Sequence, residues 1–216
     1  MAKKSKKSKS KKAVRRPAKQ AVKKKQAIKK PAAESKEKEI RIVNIVVSGS
    51  LDKSKIPLEK MAATLPNTEY NPEQFPGLVL RIREPKTSAL IFNSGKIVCT
   101  GARSMEKVDE AMQKIVEAMK KIGIEIKKKP EYQVQNMVAS GSIGMNLNLN
   151  TLAIKLENTE YEPEQFPGLV YKLRGTKATF LLFTNGEIVC TGTKSEAEVH
   201  EAVKKLVEVL RNVMKK

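Results

Sequence analysis

The sequence predicts an α+β fold in which one unit is built twice, and three observations predict it. EYNPEQFPGLV at 69–79 recurs as EYEPEQFPGLV at 160–170, and residues 67–101 match 158–192 at 22 of 35 positions without a gap. Each copy runs through the same order of β-branched runs, tight turns and one long amphipathic helical pattern. The strands are apolar on both faces, whereas the long helices offer one apolar stripe each. Internal repetition on this scale makes an approximate two-fold the first feature to explain. A body with that symmetry suits a target that is itself nearly two-fold, such as duplex DNA.

The elements follow in order. Residues 40–49 (IRIVNIVVSG) are rich in β-branched side chains and read as a strand. Pro57 opens a short helical stretch through Leu65, since proline is tolerated where a helix begins. Residues 68–71 read as a short strand and 71–74 as a loop. Strands at 78–83, 87–92 and 96–100 are separated by the turns Glu84-Pro85-Lys86 and Asn93-Ser94-Gly95, close enough for an antiparallel meander. Ser104 is the expected N-cap of a helix from 105 to 122, with Val108, Ala111, Met112, Ile115, Met119 and Ile122 on one face. The second copy repeats the pattern. Strands are expected at 131–142, 158–161, 169–174, 178–183 and 187–191, a short helix near 149–156, and a long one over 196–213.

Side chains alternate faces along a strand. Leu90 and Phe92 therefore share one face and Ala89 and Ile91 the other; Val98 and Thr100 oppose Ile97 and Cys99. One apolar face belongs under the helices. A solvated antiparallel face should be polar at alternate positions, and here it is not, so the second face reads as a large binding surface. Burial of that face in an obligate dimer, or under a further element, is the alternative.

Charge is unevenly distributed. Of the net +20, residues 1–38 contribute +15, with 17 Lys and Arg against Glu34 and Glu37. This segment has no aromatic residue and few large aliphatics, so it reads as a disordered basic tail. It lacks the apolar run of a signal peptide, and no stretch approaches the roughly 20 apolar residues of a membrane span, so a soluble, intracellular chain without membrane association is expected. Cys99 and Cys190 fall at equivalent positions of the repeats and read as small buried hydrophobes. Two cysteines and one histidine do not make a structural zinc site unaided, and neither a metal nor a cofactor is expected.

With these elements in place, the chain resembles the TATA-box-binding protein family, in its archaeal form. The resemblance rests on QNMV at 135–138 with its partner Val43–Val46, on EYNPEQF and YEPEQFPGLVY, on LRIREPKTSALIFNSGKIVCTGA at 80–102, and on FLLFTNGEIVCTG at 180–192. It covers about residues 40–214, divides the chain into repeats at 39–130 and 131–216, and leaves the basic tail without a counterpart. It implies a saddle: one curved antiparallel sheet with pseudo-two-fold symmetry, helices on the convex face, and a concave face for the DNA minor groove.

The resemblance also implies roles. Phe75, Phe92, Phe166 and Phe183 would intercalate, a pair at each end of the site. Asn44 and Asn136, with Thr100 and Thr191, would meet base acceptors, and Val46, Leu90, Val98, Val138, Leu181 and Val189 would press on the groove floor. Arg81, Lys96 and Lys172 would contact phosphate. Glu187 departs from the pattern, because the position is Lys96 in the first repeat, and a phosphate contact on that side is open to question. Glu162 and Glu164 would meet transcription factor B, which brings in RNA polymerase indirectly.

The function so implied is a general transcription initiation factor that kinks an A/T-rich TATA box. It would act in the cytoplasm and nucleoid of an archaeon, or in the nucleus of a eukaryote. A sequence-tolerant architectural DNA-bending protein is the alternative that the basic tail suggests. The tail could also be a solubilising extension. An enzyme is not expected. Single copies of this fold occur in some nucleases and glycosylases, but the lone His200 lies on a charged helix face and no general acid–base arrangement accompanies it.

Overall fold

The computed structural model describes residues 39–51 and 55–215; the reading of 1–38 as a disordered tail lies outside them. Among the described residues, ten strands form one continuous curved antiparallel sheet and four helices pack against it. The first repeat contributes β1 (Arg41–Ser50), α1 (Leu58–Thr64), β2 (Thr68–Glu69), β3 (Gly77–Ile82), β4 (Thr87–Phe92), β5 (Lys96–Ala102) and α2 (Met105–Lys121). The second contributes β6 (Glu131–Ser142), α3 (Leu149–Lys155), β7 (Thr159–Glu160), β8 (Leu169–Lys172), β9 (Thr179–Leu182), β10 (Glu187–Thr193) and α4 (Glu196–Met214).

The strand order is β2-β3-β4-β5-β1-β6-β10-β9-β8-β7, a palindrome in repeat equivalents. The two halves join where β1 pairs with β6. There Ile45 faces Met137, while Asn44 faces Val138 and Val46 faces Asn136. Ile45 and Met137 are equivalent positions, so the approximate two-fold passes between them. The seam admits no side chain at Gly49, where a Cβ would lie 2.2 Å from the Glu131 carbonyl oxygen. Bulges in β1 and β6 near the asparagines bend this central pair.

The core lies between the sheet and the helices. Alternation along β4 is regular: Thr87, Ala89 and Ile91 are buried, while Ser88, Leu90 and Phe92 are half-buried on the other face. The helices cover the buried set through Val108, Ala111, Met112, Ile115 and Met119 of α2 and through Val199, Ala202, Leu206 and Leu210 of α4. The repeats fill this space differently. Tyr171 and Phe180 of the second sheet half stand where the first has Leu80 and Ala89, and the helix residue Met112 of the first stands where the second has Val203.

Ser104 and Ser195 cap α2 and α4, accepting from the Lys107 and Glu198 backbone N–H groups. Pro57 is the N-cap of α1 rather than its first helical residue. The strand expected at 169–174 ends at Lys172 as β8, because residues 173–176 form the tight turn into β9. The strand expected at 68–71 is only two residues long. Cys99 and Cys190 are buried and unpaired, and burial pushes both thiols up to about 11.

Candidate nucleic-acid interface

The face opposite the helices carries the residues singled out from the sequence. Val46, Leu90, Val98, Val138, Leu181 and Val189 are all half-buried on it. Register ties them into two equivalent sets, with Leu90 beside Val98 and Leu181 beside Val189. Val79 and Val170 pair with Leu90 and Leu181 and extend the same surface. The sequence reading passed over them, although strand parity and the shared Leu-Val dipeptide mark them.

At the centre, Asn44 and Asn136 are held by their own repeats. Asn44 Oδ1 accepts from the Gly101 N–H at 2.8 Å and from Thr100 Oγ1 at 3.2 Å. Asn136 Oδ1 accepts from the Gly192 N–H at 2.9 Å and lies 3.3 Å from Thr191 Oγ1, while its Nδ2 donates to that hydroxyl at 3.0 Å. A backbone N–H can only donate, so it fixes which end of each amide is the oxygen and turns the NH2 end away. Both glycines have positive φ, +103° and +87°, in the region that favours glycine. A Cβ there would meet the Lys86 or Lys177 carbonyl oxygen at 2.9 or 2.2 Å.

Each end of the face holds an aromatic pair. Phe75 and Phe92 meet edge to face at 5.8 Å between ring centroids, and Phe166 and Phe183 at 6.0 Å. Phe75 and Phe166 are 41% and 42% exposed. The preceding turns hold them in place: the Asn71 carbonyl accepts from the Gln74 and Phe75 N–H groups, and Glu162 does the same for Gln165 and Phe166. Gly77 and Gly168 let the rings lie against the backbone, since a Cβ would come within 2.7 and 2.6 Å of them. Glu162 and Glu164 are exposed on the second turn.

Cations border the face. Arg81 makes two 3.1 Å hydrogen bonds to Glu69, and Lys172 reaches Glu160 at 3.4 Å. The Arg81 hydrogen bonds, reinforced by its charge, hold the Glu69 carboxyl below the usual carboxylate range. Arg81, Arg83, Lys86 and Arg103 surround one open depression beside Thr100. Their equivalents Lys172, Arg174, Lys177 and Lys194 are also cationic, a repeated signal that the sequence reading used only at Arg81 and Lys172. Lys96 and Glu187 are exposed at equivalent positions of opposite sign.

Among the described residues, no group of three or more His, Cys, Asp and Glu could hold a metal ion, and no helix is long and apolar enough to cross a membrane. An apolar sheet face with central amide donors, terminal aromatic pairs and a cationic border is the arrangement of a DNA-binding protein.

Comparison with known proteins narrows the class. The family model described as transcription factor TFIID (or TATA-binding protein, TBP) matches residues 39–122 and again 131–213. The TATA-box-binding protein of Methanocaldococcus jannaschii is 48% identical over 177 residues, covering 82% of this chain and 96% of its own. That of Pyrococcus furiosus is 48% identical over 171 residues, covering 79% and 89%. The solved structure titled Methanococcus jannaschii TBP superposes with a TM-score of 0.75 at 48% identity, covering 81% of this chain and 99% of that one. The chain belongs to the TATA-box-binding protein family, in its archaeal type, a family of non-enzymatic transcription factors.

Proposed function

We propose that this protein is a general transcription initiation factor that lays its open sheet face along the minor groove of an A/T-rich TATA box and kinks the DNA at both ends. The observation that carries the reading is the pair of phenylalanines, one exposed and one half-buried, at each end of an apolar face whose centre presents two oriented amides. A·T pairs offer only acceptors in the minor groove, whereas G·C adds a guanine amino donor. The NH2 ends of Asn44 and Asn136 supply donors for those acceptors, with Thr100 and Thr191 beside them to hold the amides. The apolar floor of Val46, Leu90, Val98, Val138, Leu181 and Val189 gives a guanine amino group no partner.

Phe75 with Phe92, and Phe166 with Phe183, wedge into base steps at the two ends. For minor-groove proteins in general, of which the TATA-box-binding family is itself a type example, unstacking costs about a few kcal/mol per step and is offset by the contact area a bend creates. Arg81, Lys96 and Lys172 take phosphate, which sets register rather than sequence preference. Arg81 and Lys172 exchange their exposed carboxylate partners for phosphate when DNA arrives. Glu162 and Glu164, on the second turn, meet transcription factor B, which recruits RNA polymerase.

A mobility-shift and bending assay on an A/T-rich duplex, with a G/C-rich duplex as competitor, tests the reading. Phe183→Ala removes one wedge from a half-buried surface site and should weaken binding about 10- to 100-fold, as loss of an aromatic–base stack does, and reduce the bend. Equal affinity and bend for the variant would refute the wedge assignment. Equal binding to the A/T-rich and G/C-rich duplexes would favour the sequence-tolerant architectural protein instead.

A further inference from the structure

The open sheet face is nearly the same in both repeats, and one difference lies beside the central amides. Asn44, Val46, Ser48 and Thr100 recur as Asn136, Val138, Ser140 and Thr191, but Val43 recurs as Gln135. Gln135, on β6, joins the end of β10 to β1. Its Oε1 accepts from Lys194 Nζ at 3.3 Å, one residue past β10, and its Nε2 donates to Ser48 Oγ at 2.9 Å. A lysine ammonium can only donate, so it fixes the oxygen end of this amide towards Lys194 and the NH2 end towards Ser48. The other half has the same neighbours, with Arg103 in place of Lys194 and Ser140 in place of Ser48. Val43 lies between them: it lines one open depression with Thr100 and Arg103, and another with Arg41 and Ser140. It is 37% exposed and carries no polar side-chain atom, so it can hold neither neighbour.

The cations bordering the face are therefore held in different ways. Arg81 and Lys172 are tethered to the carboxylates of Glu69 and Glu160. A carboxylate offsets the charge of its partner and repels an approaching phosphate. Lys194 is tethered to an amide instead, which restrains the ammonium without cancelling its charge and leaves its other N–H donors for a phosphate. A long side chain ordered before its ligand arrives loses less freedom on binding.

We propose that Gln135 is a positioning residue for DNA binding: it holds Lys194 ready for a backbone phosphate. Val43 gives the equivalent Arg103 no such hold, so the two repeats grip the phosphates beside the central amides unequally. The proposal rests on the minor-groove reading and deepens it, assigning to one repeat a preset phosphate contact that the other lacks.

The test is a titration of the full chain on an A/T-rich duplex over a series of salt concentrations. Lys194→Gln should weaken binding and lower the slope of log K against log salt by about 0.9, the share of one phosphate. Gln135→Val should weaken binding about 2- to 10-fold, the range set by ordering one long side chain. With both substitutions present, the loss due to Lys194→Gln should be at least about twofold smaller than in the otherwise unsubstituted chain, because a lysine that is not held contributes less.

Gln135→Glu separates holding from charge. The carboxylate still accepts from Lys194 but offsets its charge and faces the phosphate, so binding should be weaker than with Gln135→Val. Val43→Gln tests the other half by a gain, which misfolding cannot produce. It should hold Arg103 against Ser140 and raise affinity about 2- to 10-fold. Three outcomes overturn the proposal: an equal cost of Lys194→Gln with and without Gln135, Gln135→Glu binding as tightly as the unsubstituted chain, or Val43→Gln leaving affinity unchanged. Each of these can occur while the unsubstituted chain still prefers the A/T-rich duplex to a G/C-rich one. Absence of that preference would overturn the minor-groove reading itself.

Discussion

The two repeats share a backbone plan but not a chemistry. Their turns, aromatic pairs, glycines and central amides coincide position by position, down to centroid separations of 5.8 and 6.0 Å. Their charge does not: residues 39–130 carry 16 basic and 11 acidic groups, whereas 131–216 carry 10 of each. The geometry of the sheet face is the same in both repeats, while the surface charge, which the fold leaves free, differs. Among the exposed differences are Asn71 against Glu162 and Lys96 against Glu187.

The largest expected difference between repeats is in the core. Phe180 is fully buried, and its equivalent is Ala89. Phe180→Ala should cost about 3–5 kcal/mol in denaturant unfolding, because the ring is fully buried and its loss leaves a cavity. Ala89→Phe should also destabilise, by about 1–3 kcal/mol, through overpacking beneath Met112 and its neighbours. A cost below about 1 kcal/mol for Phe180→Ala would show that the two cores are not compensated layer by layer.

A smaller effect should be alike in both halves. Gly77→Ala and Gly168→Ala each place a Cβ within 2.7 Å of an aromatic ring, so the ring must shift. Each should weaken binding to the A/T-rich box about tenfold, and by similar factors, in a titration. Different factors would mean that the two ends do not carry equal shares of the bend.

The smallest effect should have opposite signs. Lys96→Glu should lower the salt slope of DNA binding by about 0.9, and Glu187→Lys raise it by the same amount, if each rim position faces one phosphate. A flat response at residue 187 would mean that the second rim stands away from the backbone, and the charge difference there would then bear on a protein partner.

Much of this was legible before the structure. The repeat shows as a direct match between the two copies, while the order of elements within each copy and the Ser104 cap follow from local pattern, since each depends on neighbours a few residues apart. Two sequences giving the same reading made the assignments firm even where β2 and β7 are only two residues long. The open apolar face was visible because strand parity sorts Leu90 from Ile91 without knowledge of the partner strand. Less accessible were the groups that act through contacts between distant residues. The Asn44–Gly101 hydrogen bond joins positions 57 apart, and the Arg81–Glu69 pair joins two strands. Neither spacing has a sequence signature. Val79 and Val170 were missed for a simpler reason, as they sit beside residues that drew attention to themselves.

The sequence by itself determined the unit, its duplication, the sorting of each strand's side chains into two apolar faces, and the charge of each half. These are consequences of periodicity and composition, which local sterics and hydrophobic burial read directly. Only the tertiary structure decided that β1 and β6 join the two halves into one sheet about Ile45 and Met137. It alone turned the two asparagine NH2 groups away from the glycine donors, and set Glu39 beside Phe183 and Glu187. Those outcomes depend on register and curvature across strands far apart in the chain, where a shift of one residue would move every side chain to the opposite face.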